Sequence, residues 1–210
     1  LTRNIRTFSR DKALVAERRR EIVRCASRVF IQKGYEAAGM REIAASFGKS
    51  TGSLYHYVGS KEDILYLILN YVVTNQNEFM QKIIKRTAGM DPVTGLKEAI
   101  KIYTKQLDAF AEMYIFINHV MVLLGKPERK MMEEVSRSAT DFFQGMIEKG
   151  IKSGDFHTSS PRIVAWNITI IGSGWVNRRW FWKRVLSLNQ YIQKQTEIVM
   201  KSLEVNGKGA

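Results

Sequence analysis

GYEAAGMREIAASFGKSTGSLYHYVGSKEDIL, residues 34–65, is the stretch on which the fold turns. Residues 40–47, Met-Arg-Glu-Ile-Ala-Ala-Ser-Phe, form a short amphipathic segment stopped by Gly48. Ser50 is placed to N-cap a second short helix over 51–57, because its hydroxyl can accept from the unpaired N–H groups of the first turn. Gly48 permits the tight turn between them, and Ile43, Ala44, Phe47 and Leu54 are compact enough to let two helices cross closely. Gly59-Ser60 breaks the chain again, and Ser60 with Asp63 makes a shortened capping box for a long helix over about 61–86. Two short helices joined through a glycine, packed on a first and followed by a capped fourth, describe a helix-turn-helix unit.

Upstream, Leu14, Ile22, Cys25, Ala26, Val29 and Phe30 recur at helical spacing over about 10–33, with arginines on the other side. Gly34 suits the left-handed residue that ends this helix. Residues 1–9 lack apolar periodicity and read as a basic arm; with Arg3, Arg6 and Arg10 it suits entry into a minor groove. Downstream, helices are expected over about 93–112, 114–124, 128–153, 161–183 and 188–203, with Pro161 in the first turn of its helix. Strand-type alternation is not evident. The chain reads as all-α with about nine helices: an arm and helix-turn-helix domain over 1–60, and a helical domain over 61–210.

The charge agrees. Among 210 residues, 33 Lys and Arg against 20 Asp and Glu give a net +13, which points to a polyanionic partner. Residues 1–61 hold 13 basic and 5 acidic residues, so most of the excess sits in under a third of the chain. The single cysteine, Cys25, excludes an internal disulfide and a multi-cysteine metal site, and fits a reducing, cytoplasmic setting. His56, His119 and His157 lie far apart, so no metal or cofactor is expected. The charge-free run 163–177 is shorter than the roughly 20 residues a spanning helix needs, so no membrane partner is expected.

The helix expected over 51–57 offers Thr51, Ser53, Tyr55, His56 and Tyr57, hydroxyl and ring groups suited to base edges and phosphates, beside the cap Ser50. Gly52 leaves room for close backbone approach. Lys49 and Lys61 flank this helix as phosphate-binding cations, and Arg41 sits near the start of the preceding one, where backbone N–H groups also favour anions. Arg18, Arg19 and Arg20 form a charge run that is either a solvated face or part of the same interface.

The segment closely resembles the DNA-binding segment of the TetR family of bacterial regulators. Gly34-Tyr35, residues 40–44, Gly48, Ser50, Gly52, residues 54–57 and residues 60–63 all fall at the family's spacing. It departs from the pattern at Gly39, Lys49 and Val58. The resemblance implies a homodimer bound to a double-stranded operator, with ligand sensing and dimerisation in the C-terminal domain. A dimer interface is then expected on the last two helices, at Ile163, Trp166, Ile170, Ile171 and Gly174 on one and Ile192, Thr196, Val199 and Leu203 on the other, with core packing as the other reading of the same apolar spacing.

Phe110, Met113, Phe116, Phe142, Met146, Trp166 and Ile170 would line a pocket for a small apolar effector, with His119 orienting its polar end; ordinary core packing is the competing reading. Residues 175–182 carry three tryptophans and two arginines, which resembles the branch of the family that responds to acyl-CoA thioesters. Arg178 and Arg179 would then meet phosphates; the other reading is an aromatic hinge with snorkelling arginines. No nucleophile–base–orienter set, phosphate loop on a strand or buried carboxylate pair is present in the sequence, so an enzyme is not expected. The alternative to a sequence-specific, ligand-released regulator is a non-specific or architectural nucleic-acid binder.

Overall fold

The computed structural model describes Ile5, Thr7, Phe8 and residues 11–204. The expected arm residues Arg3, Arg6 and Arg10 lie outside the described residues. Helix α1, Lys12–Lys33, starts at Asp11, whose carboxylate accepts from the N–H groups of Ala13 and Leu14. It ends at Gly34, with φ +83° and its N–H on the Phe30 carbonyl. Helices α2, Met40–Ser46, and α3, Thr51–Tyr55, follow, then α4, Lys61–Thr87. The recognition-type helix is thus two residues shorter than expected.

Helix α5, Pro92–Ala109, is N-capped by Asp91, which accepts from Thr94 N–H at 2.9 Å. It stops earlier than expected because Phe110 leaves the helical region, and α6, Ala111–Val120, begins at once, running into a 3-10 turn at Met121–Leu123. Then come α7, Lys126–Lys152, α8, Pro161–Asn177, α9, Arg179–Trp182, and α10, Leu188–Ser202. The expected single helix over 161–183 breaks at Arg178 (φ −119°, ψ 27°), whose carbonyl accepts from the N–H groups of both Phe181 and Trp182. The described residues form ten α-helices and no strand, and no described helix is long and apolar enough to cross a membrane.

The chain folds as two compact units. The first runs up to Asn75 and adds Ile115–Met132; the second comprises Gln76–Tyr114 and the chain from Glu133. The division therefore does not follow the expected border at residue 60. In the first unit Ile64, Ile68 and Leu69 of α4 are fully buried beside Ile22, Phe30, Ile43 and Leu54, and the Phe116 ring stacks on Phe30 at 5.8 Å. Apolar burial has drawn the start of α4 and most of α6 into the helix-turn-helix core.

The second unit centres on Leu96, Ile100, Phe143, Ile147, Phe156 and Ile168. Two glycines set its closest approaches. A Cβ on Gly172 would fall 2.7 Å from Leu107 and 3.2 Å from the Tyr103 ring, so its absence lets α8 lie against α5. A Cβ on Gly150 would fall 2.1 Å from the ring of Phe156, which is fully buried there.

Candidate nucleic-acid interface

The turn between α2 and α3 is built from local hydrogen bonds. Gly48, at φ +71°, donates to the Ala45 carbonyl, and Lys49 N–H reaches the Ala44 carbonyl. The Ser50 hydroxyl accepts from Ser53 N–H at 3.2 Å, so the expected N-cap forms. At the start of α2, Gly39 has no side chain to cap with, and the Glu42 carboxylate accepts its N–H at 3.1 Å instead. Lys33 pairs with the same carboxylate, and the ammonium and the Gly39 N–H together hold its carboxyl below the usual range.

Leu54 is fully buried, which fixes the rotation of α3 and turns Gly52, Tyr55 and His56 away from the core, with Thr51 at the border of the buried side. Gly52, Tyr55 and His56 are exposed; Thr51 and Ser53 are half-buried. Arg41 is exposed in the first turn of α2, and Lys49 and Ser50 are exposed just before α3. A Cβ on Gly52 would meet nothing nearer than the Ser50 hydroxyl at 3.9 Å. Packing within the chain does not demand a glycine there.

Two expected members of this face are engaged elsewhere. Lys61 donates to the carbonyls of Tyr35, Glu36 and Ala38 at 3.0–3.2 Å and lies 4.6 Å from the Tyr35 ring centroid. All three ammonium protons are used on the loop before α2, so Lys61 is a loop clamp rather than a phosphate contact. Tyr57 is half-buried beyond the end of α3, and its carbonyl accepts from Arg19 at 3.0 Å. The sequence does not distinguish Arg19 within the run 18–20 by residue type. Its signal is phase: Val15, Arg19, Ile22 and Ala26 fall on one stripe of α1, and the other three are buried. Burial pulls its guanidinium pKa down, against the opposing pull of Asp63.

The residues expected to line a pocket fall in both units. Phe116 is part of the first unit's core and His119 is exposed there. In the second unit Phe142 and Met146 are half-buried against the core and Met113 is half-buried, while Phe110, Trp166 and Ile170 are 48–49% exposed. Arg179 Nε lies 2.8 Å from Oδ1 of Asp108, and its terminal nitrogen donates to Oδ2 at 3.3 Å. Trp175, buried, donates to the same carboxylate at 2.8 Å. Arg179 is thus neutralised within its own unit, whereas Arg178 is exposed. Tyr191 lies between Trp175 and Trp182, 5.1 Å from each, in one aromatic cluster.

The residues expected at a dimer interface also divide. Ile192, Thr196 and Val199 are buried by their own chain, Ile171 and Gly174 are half-buried, and Ile163 is 60% exposed. Ile163, Trp166 and Ile170 recur at i, i+3 and i+7 as an exposed apolar stripe on α8, and α10 adds the exposed Ile198. Periodicity in α8 misleads because both its faces are apolar.

The sequence matches the family model for bacterial regulatory proteins of the tetR family over residues 22–66. The chain is similar over 99% of its length to the HTH-type transcriptional regulator HbdR of Aromatoleum sp. (strain CIB), 26% identical and covering 90% of that protein. It is 26% identical to the HTH-type transcriptional repressor KstR2 of Rhodococcus jostii (strain RHA1), across 78% of this chain and 79% of that one. The fold matches that of AibR in complex with isovaleryl coenzyme A and operator DNA, at a TM-score of 0.70 and 22% identity, covering 86% of this chain and 97% of that one.

Proposed function

The chain belongs to the TetR family of bacterial regulators, and from that premise we propose that it is a homodimeric, sequence-specific repressor released from a palindromic operator by a small apolar ligand. One observation carries the DNA reading. Helix α3 is capped by Ser50, seated by Leu54 and bears an exposed glycine whose place no contact in the chain requires. Gly52 then admits the duplex backbone closely while Thr51, Ser53, Tyr55 and His56 meet base edges and phosphates, with Arg41, Lys49 and Ser50 on phosphates at the rim.

The exposed stripe of Ile163, Trp166 and Ile170, with Ile198, supports dimerisation through α8 and α10. A two-fold dimer places its two recognition helices in successive major grooves, roughly 34–36 Å apart. For the effector we favour an acyl-CoA thioester, the class of ligand held by AibR, with the acyl group near Phe142 and Met146 and the exposed Arg178 for a phosphate. The ligand acts only through unequal affinity for the two conformers of the dimer.

Selection of duplexes from a randomised library tests the reading. One palindromic sequence is expected to emerge, with a log–log salt slope of roughly −0.9 per phosphate neutralised. Equal affinity for the enriched and a random duplex at ~150 mM salt would sink sequence-specific binding. Acyl-CoA thioesters of increasing chain length, added to the enriched complex, then test release.

A further inference from the structure

Helix α3 has only five residues, too short to hold itself by its own hydrogen bonds. Its last carbonyls need partners beyond the helix. The Ser53 and Leu54 carbonyls accept from His56, Tyr57 and Val58 close by, whereas the carbonyls of His56 and Tyr57, just past the helix, are met from far upstream. The Phe8 N–H and the Thr7 hydroxyl both donate to the His56 carbonyl at 3.0 Å, and the Phe8 ring meets the His56 imidazole edge-on at 5.9 Å. Arg19 Nε donates to the Tyr57 carbonyl at 3.0 Å, and its terminal nitrogen donates to the Ile5 carbonyl at 2.9 Å. Ile5 is buried. One guanidinium therefore joins α1, the end of α3 and the N-terminal strap.

We propose that Arg19 and the strap of Ile5, Thr7 and Phe8 are a positioning device for DNA reading, fixing the C-terminal end of α3 as Ser50 fixes its start. Arg19 touches no base and no phosphate in this role. It sets the angle at which Thr51, Ser53 and Tyr55 meet the groove, so it governs discrimination between sequences rather than general attraction to DNA. Its neighbours differ: Arg18 pairs with Glu21 at 2.8 Å and Arg20 is exposed. The proposal rests on reading α3 as the recognition helix.

Lysine keeps the charge of arginine but lacks the planar fork that spans two carbonyls. Full-length wild type, Arg19→Lys, Phe8→Pro and Arg20→Ala are compared on the duplex that wild type enriches from a random library and on a random duplex, across a salt series. Circular dichroism and thermal unfolding accompany each variant. Arg19→Lys is expected to weaken the enriched duplex roughly tenfold while leaving the random duplex and the salt slope unchanged. Phe8→Pro removes a strap donor from an exposed residue and shifts the same ratio in the same direction. Arg20→Ala leaves that ratio unchanged. Full rescue by lysine, or a salt slope smaller by about 0.9, would make Arg19 a phosphate contact and overturn the proposal. Should Arg19→Lys fail to fold, an unchanged ratio in Phe8→Pro overturns it. Wild type that enriches no duplex defeats the recognition-helix reading itself; wild type that enriches one which Arg19→Lys binds equally well defeats only the positioning role.

Discussion

The turn at Gly48 and the break at Arg178 both interrupt a helical run, but they are built over different stretches of chain. At Gly48 every bond is local: Ala44 and Ala45 accept from Lys49 and Gly48, and Ser50 caps Ser53. At Arg178 the break sits beside Asp108, which holds Arg179 and Trp175 from 71 and 67 positions away. A local device leaves its mark on residue types at fixed offsets. A long-range one leaves none, because Asp108 looks like any helical carboxylate until α5 and α8 are brought together. Substitutions in the second unit should accordingly reach stability, and substitutions on the α3 face should reach binding.

The strongest challenge to that division is Phe156, fully buried against Gly150. Phe156→Ala should lower unfolding stability by about 3–5 kcal/mol, measured by denaturant titration, because no other ring fills the space above Gly150. Sequence preference for DNA, measured where the variant remains folded, should stay the same. A changed preference would mean the two regions are not separable.

Asp108→Asn comes next. It keeps an acceptor for Trp175 but removes the charge facing Arg179. The pair is partly open to solvent, with 33% of the arginine and 19% of the aspartate side chain exposed, so the loss should be about 1–2 kcal/mol rather than that of a buried pair. The loss should appear in thermal unfolding, with near-ultraviolet circular dichroism reporting the Trp175–Tyr191–Trp182 cluster. An unchanged tryptophan signal would show that the cluster stands without the carboxylate.

The same contrast explains what could be read in the chain. Gly34, Gly48, Ser50 and Pro161 act on their neighbours, so the helix boundaries they set were legible. The buried side of α3 followed from Leu54. Lys61 is not legible as a clamp, because a lysine at the start of a helix carries no mark of the three carbonyls it meets about 25 positions upstream. Arg19 was legible in principle from its phase with Val15 and Ile22, but a run of three arginines hides which one turns inward. In α8, apolar spacing assigns Trp166 and Ile170 to a pocket and to a dimer face alike, because apolar residues occur on both sides; the packing of α5 and α10 decides which side is covered.

Lys61 and Lys49 separate clamp from contact. Lys61→Ala should cost about 1–2 kcal/mol of stability, having lost three bonds to backbone carbonyls, with the salt slope unchanged. Lys49→Ala should leave thermal unfolding alone and reduce the slope by about 0.9 per protomer. The reverse pattern would return Lys61 to the DNA face and remove Lys49 from it.

The smallest effect has opposite signs in the two measurements. Glycine within a helix is less favourable than alanine by up to about 1 kcal/mol, since it leaves more backbone freedom to lose. At Gly52 the added methyl meets only the Ser50 hydroxyl, at 3.9 Å, so nothing in the chain opposes the gain. Gly52→Ala should therefore raise unfolding stability by a few tenths to about 1 kcal/mol. If α3 faces the duplex at close range, the same methyl occupies space that the DNA backbone or a base edge needs, and affinity for the enriched duplex should fall. A variant both more stable and equally tight would mean that the glycine serves neither partner, and that α3 stands further from the groove than its exposed face implies. A variant more stable and weaker would locate the reason for glycine outside the chain, in the molecule it binds.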